Sequence, residues 1–447
     1  MKTTDGGGPP HKTAADELHS LKPESSRHRP VKADSTDQHF DIAVVGAGAA
    51  GLATAIFTRR LNPSRSVVLL DSSARPGAKI LVSGGSRCNV TNVAVSERDF
   101  SGGKPTIIRK ILRAFPPDDV VAWFGSLGVP LHEEAHGKLF PNSNRSRDVL
   151  NALLTETVAS GAVLKPATRI DRITPDKPFF LETTQGLIRA TTVVMATGGL
   201  SLPKTGSDGA GMEIARRLGH TIVPTTPALV PLTSAHDLPL HQALTGVSHE
   251  AELALWTDGQ LALRLRGSLL WTHFGFSGPV VLDMSRYWLR ARLEERTAHV
   301  TLNLMPGESF DTIDREWTSP TRVRQRATVH GRLADLVPAS VATAILERLA
   351  IDPTTSAAEL SRHDRRRVTH ALVEWPLNID GNRGYNYAEA TAGGVALDEI
   401  DPATMASRKC PGLYLVGEML DVDGRIGGFN FQWAWSSARV AASALAK

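Results

Sequence analysis

Cysteine is nearly absent: Cys88 and Cys410 are the only two in 447 residues. They form no CxxC pair and no metal-ligand spacing, so neither a disulfide framework nor a metal site is expected, and a cytoplasmic, reducing setting is. No apolar run reaches the roughly 18 uninterrupted residues that a membrane helix needs. The nearest, residues 42–57, is rich in Gly and Ala. The first twenty residues contain no apolar core of the kind a secretory signal carries. An excess of one charge is lacking too. The 50 basic and 46 acidic side chains leave +4, which neither requires nor excludes a nucleic-acid partner. There is no internal repeat and no second GxGxxG.

What is present fits an ordinary globular chain, 41% hydrophobic and 21% charged, long enough for two or three domains. Residues 1–38 are polar and carry Gly6-Gly7-Gly8-Pro9-Pro10, which predicts a flexible tail. From residue 39 the chain reads as strand, glycine turn, helix and strand. Helical periodicity then recurs in "IIRKILRAF", "VVAWFGSLG" and "VLNALLTETVASG". Beyond Pro231 the texture changes. "HEAELALWTDGQLALRLRG" alternates around Asp258-Gly259, a hairpin signal, within a stretch that reads as a small antiparallel sheet or barrel over 233–330. Residues 331–375 are helical, and glycine-rich loops return before a closing strand and helix.

Gly46-Ala47-Gly48-Ala49-Ala50-Gly51 follows an apolar strand and opens a helix, as a dinucleotide fingerprint must. Gly46 permits the tight turn, Gly48 admits a pyrophosphate, and Gly51 lets the helix approach the strand. The phosphates would face free N–H groups at the helix start. Asp71, with Ser72 behind it, ends the second strand where a ribose-binding carboxylate belongs.

The fingerprint does not separate FAD from NAD, but the far end of the chain does. "GLYLVGEMLDVDGRIGGFNFQWAWSSA" supplies Gly417, Glu418, Asp421, Gly428 and Asn430 on a strand, a glycine loop and a helix start. Such a helix start favours the anionic ring of a reduced flavin. Ala196, Thr197 and Gly198 add another backbone approach. Three distant segments converging on one long cofactor predict FAD, with NAD(P)H docking only transiently. "ILVSGGSRCNVTN" (80–92) would run along that cofactor. Gly84 and Gly85 allow close approach, Ser83 stands beside them as a further cofactor contact, and Lys79 and Arg87 can neutralise anions. Asn89, Thr91 and Asn92 can serve ring edges or local turns. Cys88 is either a proton donor or an inert packed thiol.

These residues carry a family resemblance. Gly46 to Gly51, "GAKILVSGGSRCNVTN", "LFPNS", "ATGGLSLPKTGSDGAG", "THFGFSGP", "TAGGV" and "GEMLDVDGRIGGFNFQWAWSSA" are similar to segments of bacterial NAD(P)/FAD-dependent flavoproteins. That family includes bile-acid 4,6-ene-reductases, aminoacetone oxidase and an enzyme forming dihydrouridine in 23S ribosomal RNA. Ser86 and Asp71 depart from the family's more usual glycine and glutamate. The resemblance implies an α/β fold: a three-layer, Rossmann-like FAD domain (39–232 and 376–447). It is interrupted by an antiparallel β-barrel (233–330) and a small helical subdomain (331–375).

It also implies NAD(P)H-linked reduction of a polarised C=C bond, in a small-molecule enone or in the uracil ring of ribosomal RNA. His273, in "WTHFGFSGP", reads as an acid or anchor facing the flavin, or as a core histidine. Tyr387, with Tyr385, reads as a donor or as aromatic packing. The arginine-rich runs "RVRQR" (322–326) and "RHDRRR" (362–367) would track phosphates or form a solvated face. Two other functions compatible with the glycine loops are a peroxide-forming amine oxidase and a flavin-binding redox sensor without turnover.

Overall fold

The computed structural model describes residues 38–236, 238–318 and 327–447; the tail and the run 322–326 lie outside the described residues. Strand Gln38–Val45 buries its last four residues, the continuous apolar run expected of a central parallel strand. It lies between strands Val67–Leu70 and Gly186–Met195, and Val163–Lys165 and Leu413–Leu415 extend the parallel set on either side. Strands Phe179–Thr183 and Ile170–Thr174 complete the seven-stranded sheet antiparallel.

Helix Ala49–Leu61 is built from Ala, Gly and Thr on its inner faces and is buried from Ala50 to Thr58. Small side chains let it press against the closing helix Phe429–Leu445 as well as the sheet. Phe57, Phe115, Trp123 and Trp435 fill the space beside it, with edge-on ring contacts.

Two antiparallel strands, Ile222–Ala228 and Ala390–Val395, carry the chain out of this layer and back. Between them lies a second seven-stranded, antiparallel sheet. Its central hairpin, Ser248–Thr257 and Gln260–Thr272, turns at Asp258 (φ 52°) and Gly259 (φ 78°). Both turn residues are left-handed, the conformation whose twist matches that of the strands. Helix Pro279–Leu293 packs across this sheet. Helices Val329–Ala334, Ala339–Leu349 and Arg362–Val373 share one hydrophobic cluster with the sheet.

Most of the run 362–367 is engaged internally. Arg365 binds Asp314 at 2.9 Å, Arg366 lies over Phe310, and Arg367 binds Asp364 and the Leu349 carbonyl.

Two polar clamps tie distant segments together. Buried Arg286 on helix Pro279–Leu293 reaches the Asp423 carboxylate at 2.8 Å and the Asp423 carbonyl at 2.9 Å. Buried His220 bridges Glu399 (3.0 Å) and Ser407 (2.8 Å). The spacing is that of a nucleophilic relay. The Ser407 oxygen, however, already accepts the N–H groups of Lys409 and Cys410, so it serves as a loop fastener.

Candidate functional site

The glycine turn is shaped as the fingerprint requires. Gly46 has φ 102°, and a Cβ there would lie 2.5 Å from the Ala196 carbonyl oxygen. A Cβ on Gly51 would lie 1.8 Å from the Gly46 carbonyl oxygen, so only glycine lets the helix sit this close. Gly48 differs: a Cβ there would meet no protein atom within 4 Å. Its backbone faces open space at the helix start.

That space belongs to a cavity of about 470 Å³. At one end Asp71 accepts the Ala47 N–H at 2.6 Å and the Ser73 N–H at 2.8 Å. Burial raises its carboxyl above the usual range, outweighing those two hydrogen bonds. Midway, Lys79 forms an ion pair with Glu418 and donates to Ser201. Glu418 also accepts from Ser201 at 2.8 Å and from the Thr391 N–H at 3.0 Å. At the other end lie Asn89, the loop Arg425 to Gly428 and the start of helix Phe429–Leu445.

Most residues singled out from the sequence meet here. Gly46, Gly48, Ala49, Ala50, Asp71, Ser72, Lys79, Ser83, Gly84, Arg87 and Asn89 line the cavity, as do Ala196, Thr197, Gly198, Glu418, Gly428 and Asn430. Arg87 also stacks 4.1 Å over Phe140 and binds Glu134 at 2.6 Å. The segment after Lys79 is a short helix that breaks at Ser83. Gly84, Gly85, Ser86 and Cys88 all have positive φ. Ser86 therefore occupies a left-handed position where the more usual glycine would be unstrained.

Other expected residues stand behind the wall. Gly51 is a packing residue. Thr91 hydrogen-bonds Gln432, and Asn92 donates to the carbonyls of His136 and Gly427, so both serve local structure. Gly417 is tied to Ser437 and Trp433. The Asp421 carbonyl receives the Gly103 N–H at 2.8 Å, while burial raises its carboxyl.

The three expected chemical groups do not line the cavity. Cys88 is fully buried, and burial pushes its thiol up to about 12. His273 is exposed and edge-on to Phe274. Tyr387 is 51% exposed beneath Arg383, whose guanidinium lies 3.5 Å from its ring centre and 4.5 Å from that of Phe274.

The structure adds lining residues that sequence reasoning missed: Lys138, Phe140, Arg169, Glu389 and Arg425. Phe140 and Arg425 lie inside motifs already noted, "LFPNS" and "DGRIGG". Arg169 and Glu389 had no local signal, because strand pairing brings them in.

Two features test whether the cavity suits a flavin dinucleotide. The Asn89 side-chain oxygen is buried without a hydrogen-bond partner in the protein. The backbone at Gly48 opens onto unfilled space. An unpaired buried acceptor is costly, so a ligand donor at the Asn89 end and an anion at the helix start each satisfy a group the protein leaves open.

Across residues 40–444 the sequence matches the family model described as HI0933-like protein Rossmann domain. It is 32% identical over 403 residues to the ribosomal RNA dihydrouridine synthase of Escherichia coli K12, covering 90% of this chain and 96% of that one. Identity is 30% over 407 residues to the 3-dehydro-bile acid delta(4,6)-reductase of Clostridium scindens, covering 91% and 99%. Among solved structures, E. coli quinol fumarate reductase FrdA has a TM-score of 0.50 at 16% identity, over 92% of this chain and 70% of that one, a likeness of fold alone. With one family model running from the first strand nearly to the end of the closing helix, the chain belongs to the HI0933-like protein family.

Proposed function

We propose that the protein is an FAD-dependent oxidoreductase that reduces a carbon–carbon double bond conjugated to a carbonyl, with NAD(P)H as a transiently docked electron donor. The observation that carries this reading is the single cavity joining the Gly48 turn, the Asp71 carboxylate and the Asn89–Gly428 end. The two relatives' names support the reaction class. Forming dihydrouridine saturates the uracil C5=C6 bond, and a delta(4,6)-reductase saturates a bond conjugated to a ketone. The uracil ring of ribosomal RNA is the preferred substrate, a small-molecule enone the second. No helix among the described residues is long and apolar enough to cross a membrane.

The residues divide the work. Asp71 accepts from a ribose hydroxyl. The Gly48 backbone and the N-terminus of helix Ala49–Leu61 hold the pyrophosphate. Lys79 is held beside the cavity by its contacts with Glu418 and Ser201. The start of helix Phe429–Leu445, set by Gly428 at φ 93°, presents its positive end to the cavity. When bound, FAD supplies hydride to the acceptor carbon. The chain must then hold the substrate carbonyl against donors and provide a proton.

The experiment is anaerobic. Purified protein is loaded with FAD and chemically reduced, and a uridine-containing ribosomal RNA fragment or an enone is added. Return of the oxidised flavin spectrum supports the reading. No reoxidation by either acceptor overturns it, and in a separate assay in air, transfer of electrons from an amine substrate to dioxygen with release of peroxide identifies an oxidase instead.

A further inference from the structure

Two glutamates reach the cavity from adjacent backbone, and their surroundings differ. Glu418 is held by Lys79, Ser201 and the Thr391 N–H. Glu389 follows the single turn Tyr385–Tyr387 and precedes strand Ala390–Val395. Its neighbours Ala388 and Ala390 are fully buried, while its own side chain is open to the cavity. Its backbone is fixed on both sides: the N–H donates to Leu229 at 3.2 Å and the carbonyl accepts from Ser201 at 3.4 Å. Its carboxyl forms no hydrogen bond or ion pair among the described residues.

The charged groups around it are Lys79 on helix Ala78–Ser86, Lys138 on strand Lys138–Pro141, and Asp283 on helix Pro279–Leu293. Glu418 and Arg425 share the same cavity. The Lys79 ammonium is already taken by Glu418 and Ser201, and Asp283 accepts the Ile426 N–H at 2.7 Å.

We infer that Glu389 is the acid that protonates the substrate carbon during double-bond reduction. This rests on the reaction class proposed above. The π bond of the acceptor breaks. One carbon gains hydride from the reduced flavin and its neighbour gains the Glu389 proton, so two C–H bonds form. Glu389 is left as carboxylate and is reprotonated from water. Although the side chain is exposed where it opens onto the cavity, desolvation by the surrounding protein shifts its carboxyl upward, Asp283 pushes the same way, and Lys79 and Lys138 pull it down without reversing the shift. Of the two glutamates, Glu418 has its carboxylate occupied by Lys79, Ser201 and the Thr391 N–H, whereas the Glu389 carboxyl faces the cavity without a protein partner among the described residues. Neither Cys88, His273 nor Tyr387 lines the cavity to compete for the role.

The test compares wild type with Glu389→Gln after anaerobic chemical reduction, using whichever acceptor reoxidises the wild type. Flavin content stays equal, and reoxidation slows by about 100-fold or more, the usual loss of a general acid. A second readout is the pH profile of reoxidation: the wild-type rate falls with rising pH as the Glu389 acid ionises, and the residual rate of Glu389→Gln lacks that limb. Should Glu389→Gln lose flavin, Glu389→Asp decides: retreat by one methylene slows reoxidation at least about tenfold at unchanged flavin content. Equal rates in variant and wild type overturn the role of Glu389 alone. A wild type that no acceptor reoxidises overturns the reaction class, and this role with it.

Discussion

Gly48→Ala and Gly51→Ala separate cofactor binding from folding, although the two glycines are three residues apart in one turn. At Gly48 the backbone is ordinary (φ −82°, ψ −167°), and an added Cβ has no protein atom within 4 Å. Gly48 is also the N-cap of its helix, where alanine is disfavoured against glycine by about 1 kcal/mol or less. The apo protein should therefore unfold within about 2 °C of wild type. The methyl group would occupy the space in front of the helix start. Losing one hydrogen bond from that backbone to a charged pyrophosphate costs about 1.5–3 kcal/mol, about ten- to a hundredfold in affinity. At Gly51 the Cβ would lie 1.8 Å from the Gly46 carbonyl oxygen. The better helix propensity of alanine, up to about 1 kcal/mol, is then outweighed by overpacking of about 1–3 kcal/mol. Thermal unfolding of the two apo variants and FAD titration followed by flavin fluorescence give both quantities. The reasoning is refuted if Gly48→Ala binds FAD within twofold of wild type, or if it unfolds as readily as Gly51→Ala.

Three further outcomes follow from the same geometry. Tyr387→Phe and His273→Ala should each leave flavin content and small-molecule reoxidation rates within about twofold of wild type, because neither side chain lines the cavity; a hundredfold loss in stopped-flow traces would return them to the chemistry. Asp423 is pushed up to about 6 by burial, which outweighs the pull of Arg286. The folded state therefore holds that proton more tightly than the unfolded chain, and wild type should lose stability relative to Asp423→Asn as pH rises from about 4 to 6 in urea titrations; a flat difference would refute the burial argument. His220 behaves oppositely. Burial lowers its imidazole despite Glu399, so stability should fall as pH drops below about 6.5, and His220→Gln should lack that limb of the curve.

The glycine turn was legible because everything it needs is local: an apolar strand before it, a helix after it, and three residues without Cβ. The Asp258-Gly259 hairpin was legible for the same reason, since two left-handed residues fix the register of both strands. Chemistry at the ring end was less so. His273 and Tyr387 sit beside glycine turns and look like site residues. Long-range packing instead places them around Arg383 in a ladder of rings and cation, with Phe274 between His273 and Arg383. Thr91 and Asn92 offer donors and acceptors in any sequence reading, and only the fold shows them spent on Gln432, His136 and Gly427. The arginine run 362–367 is visible as charge, but its partners Asp314, Phe310 and the Leu349 carbonyl come from other elements. Glu389 carries no motif of its own. It is set by the return strand lying beside Ile222–Ala228.

Helix Pro279–Leu293 does not line the cavity but braces the loop that forms part of its wall. Helix Pro279–Leu293 sends Asp283 to the Ile426 N–H and Arg286 to Asp423 and the carbonyl of Gly424. These contacts fix the loop that leads through Gly427 and Gly428 into the closing helix. Asn430 completes the hold, accepting the Gly424 N–H at 2.8 Å and donating to its carbonyl at 3.1 Å. The same helix brings Asp283 near Glu389, so one element sets both the position of the closing helix's positive end and the electrostatics of the unpartnered carboxyl. Changes to the insert's outer surface leave this grip alone. Changes at Asp283 or Arg286 alter the cavity from behind and should be felt in cofactor affinity and in proton delivery together.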